Sequence, residues 1–161
     1  MIKNKLHLFQ IHYDRKRWKL SKIELRKKLQ LYPDDHYLLV LLGSIYREEK
    51  RYTLAWKYIY KAFEINPYCP TVMWHFADIS FVIGEIIWAQ VTWQKLLKMG
   101  YRRVAFGKCG EGSKWALSLI NDTRYRLAMS YLKTNPSLAK RYFTLYRKQI
   151  KKGVKSIYKL P

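Results

Sequence analysis

The chain has 161 residues, 49% of them hydrophobic and 16% aromatic, which excludes a disordered or low-complexity segment. Only 5 Pro and 7 Gly argue against a sheet protein built on many tight turns. Against 11 acidic residues stand 32 Lys and Arg, a formal net charge of +21, and a surface so basic calls for an acidic counterpart.

Residues 1–35 hold ten basic and four acidic side chains. The opening stretch, MIKNKLHLFQIHYDRKRWK, has no continuous apolar core of the kind a signal peptide needs. Leu8 and Phe9 followed by Ser21, Leu25 and Pro33 predict a first pair of helices near 2–35. Residues 36–69 predict a second pair. Leu39, Leu42, Gly43 and Tyr46 lie on one helix, and Ala55, Ile59 and Ala62 on the next, with Pro67 ending it. Gly43 and Ala55 are small where two antiparallel helices must approach closely.

Shifted by 34 residues the pattern returns over 70–103, with Met73, Phe76, Ala77 and Ser80 before Ala89, Trp93 and Leu96. The second of these helices is expected to stop at Met99-Gly100. This apolar stretch holds His75, Asp78, Glu85 and Gln90 between 72 and 97, which makes it a poor membrane span. An insertion over 104–120 follows. From Ser113 the segment SKWALSLINDTRYRLAMSYL reads as one long helix. Leu127, Ala128 and Tyr131 before Ala139 and Phe143 predict a fourth pair near 121–153.

Leu39, Leu42, Gly43, Tyr46, Ala55, Ile59, Ala62 and Pro67, repeated at a period of 34, resemble the tetratricopeptide repeat. The resemblance implies an all-α, right-handed superhelix of about four antiparallel helix pairs, one domain over 1–161. It also implies a groove lined by the first helix of each pair. Carried onto this chain, the groove positions are Tyr37, Val40, Ser44 and Arg47, then Thr71, Trp74, Asp78 and Phe81, then Asp122, Tyr125, Met129 and Leu132. Tyr37, Arg47, Trp74, Asp78, Phe81 and Tyr125 are the candidate partner-binding residues. The Lys and Asn with which some members clamp a peptide carboxylate are missing, since Val40 and Ser44 stand in their places.

The stretch GKCGEGSK at 107–114 raises the question of a phosphate-binding loop. That loop needs G-x-x-x-x-G-K-[ST] after a buried strand. Here the order after Gly112 is Ser113 then Lys114, and RRVAF before it is a poor strand. A flexible turn between helices is the better reading. His7, His12, His36 and His75 lack a metal-ligand spacing, and Cys69 and Cys109 lack C-x-x-C spacing, so no metal, cofactor or disulfide is expected. Glu48 and Glu49, at a helix-pair turn, read as solvated charges. No catalytic set is legible, so the chain is not expected to be an enzyme.

After Asp122 there is no acidic residue, while eleven basic ones follow. Arg141, Arg147, Lys148, Lys151, Lys152 and Lys155 form the candidate basic patch, the four lysines read as a stripe on the last helix. Tyr142 and Tyr146, interleaved with Arg141 and Arg147, suggest rings for base stacking. The expected function is a non-catalytic protein-interaction module in the cytoplasm: an adaptor, chaperone or immunity-like binder of an acidic protein or peptide. A nucleic-acid-associated factor is the alternative, and an anionic membrane surface ranks below both. The glycine stretch gives a test: no hydrolysis of ATP or GTP, and a melting temperature that magnesium-nucleotide leaves unmoved. A rise of several degrees would restore the phosphate-loop reading.

Overall fold

The computed structural model describes residues 17–158 and Leu160. The first helix expected for the first pair, with Leu8, Phe9, His7 and His12, lies outside the described residues. The described residues are all-helical, without a strand, and divide into two compact units, one up to Pro67 and one from Tyr68.

The first unit holds α1 (Trp18–Leu31), α2 (His36–Glu48) and α3 (Tyr52–Ile65). α1 buries Ser21 and Leu25, the two residues its pattern singled out. α2 starts where Asp35 accepts from the backbone N–H groups of Tyr37 (2.9 Å) and Leu38 (3.0 Å), a side-chain cap on otherwise orphaned donors. α2 and α3 cross at Gly43. A Cβ there would meet Ile59 Cγ1 at 2.5 Å and the Ala55 carbonyl at 3.2 Å, so only glycine lets the helices come this close. Tyr46 closes the pair, its ring stacked 5.5 Å from Tyr58 and its hydroxyl taking a 2.6 Å hydrogen bond from Arg26. One expectation is corrected here. Glu49 is not a solvated charge: Lys22 of α1 donates to its carboxylate at 2.7 Å, and both side chains are largely covered. Glu48 pairs with its neighbour Arg47 at 3.0 Å.

The second unit holds α4 (Pro70–Val82), α5 (Ile86–Phe106), α6 (Ser113–Tyr131) and α7 (Pro136–Lys151). Pro70 and Pro136 occupy first-turn positions, where a missing N–H costs nothing. α4 packs on α5, α5 on α6 and α6 on α7, and α4 also touches α6. Trp74, Trp93, Leu96, Leu119 and Leu127 fill the core between them.

The insertion is more ordered than its glycines suggested. α5 does break at Gly100, whose φ of 75° is left-handed, but the helix then resumes to Phe106. Val104 and Ala105 are buried by that extra turn. The glycine turn packs back onto it. Gly112 donates its N–H to the Ala105 carbonyl at 3.0 Å, and a Cβ on Gly110 would lie 2.3 Å from that same oxygen. The early turns of α6 bury Ala116 and Leu119, so the insertion lengthens two helices that pack on each other. Among the described residues no helix is long and apolar enough to cross a membrane.

Gly43→Leu is expected to lower stability by about 1–3 kcal/mol or more, because overpacking a helix crossing forces the helices apart. Urea denaturation reads this directly. An unchanged midpoint would mean that Gly43 does not sit at the crossing.

Candidate functional site

The predicted groove residues fall into both units. Tyr37 and Arg47 lie half-buried at opposite ends of α2 in the first. Trp74, Asp78 and Phe81 lie on α4 and Tyr125 on α6 in the second. There α4 and α6 are the first helices of successive pairs, and their contact forms a floor.

On that floor the side chains four residues apart do the work. Asp78 on α4 is fully buried and forms an ion pair with Arg126 on α6 at 2.9 Å. The Arg126 guanidinium also lies 5.8 Å from the centre of the Trp74 ring. Asp122, one turn before Arg126, is fully buried as well. Tyr125 does not join this floor. Its ring turns to α7, 5.2 Å from Tyr146 and 5.7 Å from Phe143. Phe81 leans on the core tryptophan Trp93 at 5.8 Å. The floor therefore follows Asp122 and Arg126 on α6, where positional carry-over named Asp122 and Tyr125. Arg126 stands four residues after Asp122 and so shares its helix face, and the buried carboxylate it pairs with is Asp78 on α4.

The floor is covered by the chain itself. α7 ends at Lys151, Gly153 takes a left-handed φ of 84°, and the chain then runs without helix. Asp122 Oδ2 accepts from the Ser156 hydroxyl (3.0 Å), the Ile157 N–H (2.9 Å) and the Tyr158 N–H (3.3 Å). The Tyr158 ring stacks on Trp74 with centres 3.5 Å apart and planes 12° from parallel. Its hydroxyl lies 3.4 Å from His75 Nε2. Burial pushes the Asp122 carboxyl above its usual range, while the Tyr158 N–H, the Ser156 hydroxyl, the Ile157 N–H and Arg126 pull it back. None of these tail residues carried a signal in the sequence, because a short irregular segment has no period.

The basic patch is exposed in full: Arg141, Arg147, Lys148, Lys151, Lys152 and Lys155 all face solvent. No ion pair joins them to an acidic side chain among the described residues. Two expectations change. The last helix ends at Lys151, so Lys152 is its cap and Lys155 lies in the tail beyond it. The interleaved rings do not face outward: Tyr146 is buried, and the half-buried Tyr142 stacks on Tyr131 with planes 10° apart. What remains outside is mostly charge, with Leu145 and Ile150 also exposed.

Two thiols also meet that the spacing did not pair. Cys69, at the start of α4, and Cys109, in the glycine turn, bring their sulfurs within 4.8 Å as free thiols. Burial, helped by the neighbouring Cys109, pushes the Cys69 thiol up to about 12, so it stays protonated at neutral pH.

The ion pair beneath the floor has a measurable weight. Arg126→Met leaves the Asp78 charge buried without its cation and is expected to cost about 3–5 kcal/mol in urea denaturation. Adding Asp78→Leu is expected to recover most of that loss. Equal losses in the single and double variants would show that the pair contributes nothing.

The sequence matches no family model and no curated protein. Two solved structures, both of MamA, a tetratricopeptide-like helical-repeat protein, resemble this chain in fold. One is 13% identical, with a TM-score of 0.52, and the match covers 90% of this chain and 95% of that one. The other is 14% identical, with a TM-score of 0.53, covering 97% and 94%. The architecture is therefore that of a tetratricopeptide-like helical-repeat protein, as the 34-residue period implied.

Proposed function

We propose that this chain is a non-catalytic protein-interaction module, an adaptor-like binder whose basic face receives an acidic protein or peptide. Helical-repeat folds of this kind offer extended surfaces for protein partners. The observation that carries the reading is the sorting of charge in the second unit. From Tyr68 on there are seventeen basic residues and four acidic ones. Two of the four, Asp78 and Asp122, are fully buried, which leaves Glu85 and Glu111 as the exposed acids. The outer surface of this unit is thus nearly one sign, and its densest part is α7 with Lys152 and Lys155 after it.

The two faces suit different chemistry. The floor of α4 and α6 is lined by carboxylates and aromatic rings, so an acidic peptide has no reason to enter it. The acidic partner belongs on α7, where exposed charges steer encounter and specify sign more than they add affinity. The inward-facing rings of Tyr142 and Tyr146 weigh against base stacking and favour the protein partner over nucleic acid.

Charge reversal at Lys148, Lys151 and Lys152 tests this. Binding of a polyglutamate peptide is expected to weaken by at least about tenfold at low salt. The loss should shrink as salt rises, because exposed charges are screened beyond about 8–10 Å near physiological ionic strength. A single-stranded RNA of equal length serves as the second probe. RNA bound far more tightly than polyglutamate at matched salt would favour the nucleic-acid alternative. Polyglutamate binding untouched by the reversal would remove α7 from the account.

A further inference from the structure

The tail over the second unit's floor is held in the manner of a bound peptide. It presents main-chain N–H groups and one ring, and these are what the floor reads. Three donors from successive residues converge on a single oxygen, Asp122 Oδ2, and the ring two positions after the serine lies flat on Trp74. A further bond inside the segment, from the Leu160 N–H to the Ser156 oxygen at 2.9 Å, sets its turn.

We propose that the Trp74–Asp122 floor is a recognition site for an extended basic peptide with a hydroxyl residue two positions before an aromatic one. Residues 156–158 occupy that site in cis and must leave before such a peptide enters. The inference rests on the reading of this chain as an interaction module.

Three observations support it. The tail is superficial: Lys155 and Ile157 are exposed, and Ser156 and Tyr158 only half-buried. Its three bonds to Asp122 end on a side chain, and it meets the core at one edge, where the Tyr158 ring lies on Trp74, so lifting it uncovers Trp74 and breaks no backbone bond of a helix. The other carboxylate oxygen, Asp122 Oδ1, is buried and has no hydrogen-bond donor among the described residues, so the tail leaves an acceptor unused. Finally, the floor's signs match the tail's. Arg126 pairs with Asp78 and also acts on Asp122, so the floor holds two carboxylates against one cation, and the segment over it carries Lys155 and no acid. The site therefore selects against acidic peptides, the opposite of α7.

A segment tethered this closely competes as though present at roughly millimolar concentration. The full chain should accordingly resist a peptide added in trans. The probe is a fluorescein-labelled peptide with the sequence of residues 154–160, VKSIYKL, followed by anisotropy. The release variant is the full chain carrying Ile157→Pro, which deletes one N–H to Asp122, together with Tyr158→Ala, which deletes the ring. Circular dichroism confirms that the helices persist. The release variant is expected to bind the probe at least about tenfold more tightly than the unaltered chain, the tethered competitor being gone. Asp122→Asn in the release variant, or alanine for the tyrosine of the probe, should cost most of that gain. Equal binding by both chains, or none by a folded release variant, overturns the proposal. So does a unaltered chain that sediments as a dimer while the release variant does not, since the tail would then belong to a second copy. Loss of polyglutamate binding at α7 in either chain is read separately, so failure here leaves the proposed function standing.

Discussion

The close approach of paired helices at small residues governs everything built on them. Gly43 lies against Ile59 and the Ala55 carbonyl with no room for a Cβ. In the second unit Ala77, Ala89, Ala128 and Ala139 are buried at the corresponding positions of their pairs. A small residue at that point fixes the rotation of each helix about its axis, because any other face would place a larger side chain at the crossing. Once rotation is fixed, so is the face each first helix turns away from its pair.

That rotation delivers Trp74 and Asp78 on α4, and Asp122 and Arg126 on α6, to a common floor. Two carboxylates buried there would be costly without partners. Arg126 answers Asp78 across the helices, and the tail answers Asp122. Burying the acids has a second effect, which is to leave the outer surface with little negative charge to offset its lysines and arginines. The same feature thus produces a floor that accepts donors and an exterior that attracts acids, so the two faces discriminate by sign.

The helices were legible because their signal is local and periodic. The residues that end α3 and start α4, Pro67 and Pro70, and the small residues at 43, 55, 77 and 89 follow the 34-residue spacing closely. Gly100 was legible as a break but not as an interruption that the helix survives, since RRVAF after it holds neither a breaker nor a clear period. The groove positions carried over from the repeat fall on α2, α4 and α6. Which face of α6 meets α4 was missed by one residue, because Tyr125 and Arg126 are both near helical spacing and only packing against Tyr146 settles the matter. The tail over Asp122 was not legible at all. Its bonds span thirty-four to thirty-six residues, and two of the three run through main-chain N–H groups, which nearly every residue possesses. The pairing of Cys69 with Cys109 was hidden for the same reason, a contact made by tertiary packing alone.

The account stands on the seating of Tyr158 against Trp74. Nuclear Overhauser spectroscopy on the full chain measures it most directly. Cross-peaks between the Tyr158 ring protons and the Trp74 indole protons, with Tyr158 resonances shifted upfield by the stacked ring, are the predicted result. A Tyr158 ring with the shifts of a free tyrosine and no contact to Trp74 would contradict it.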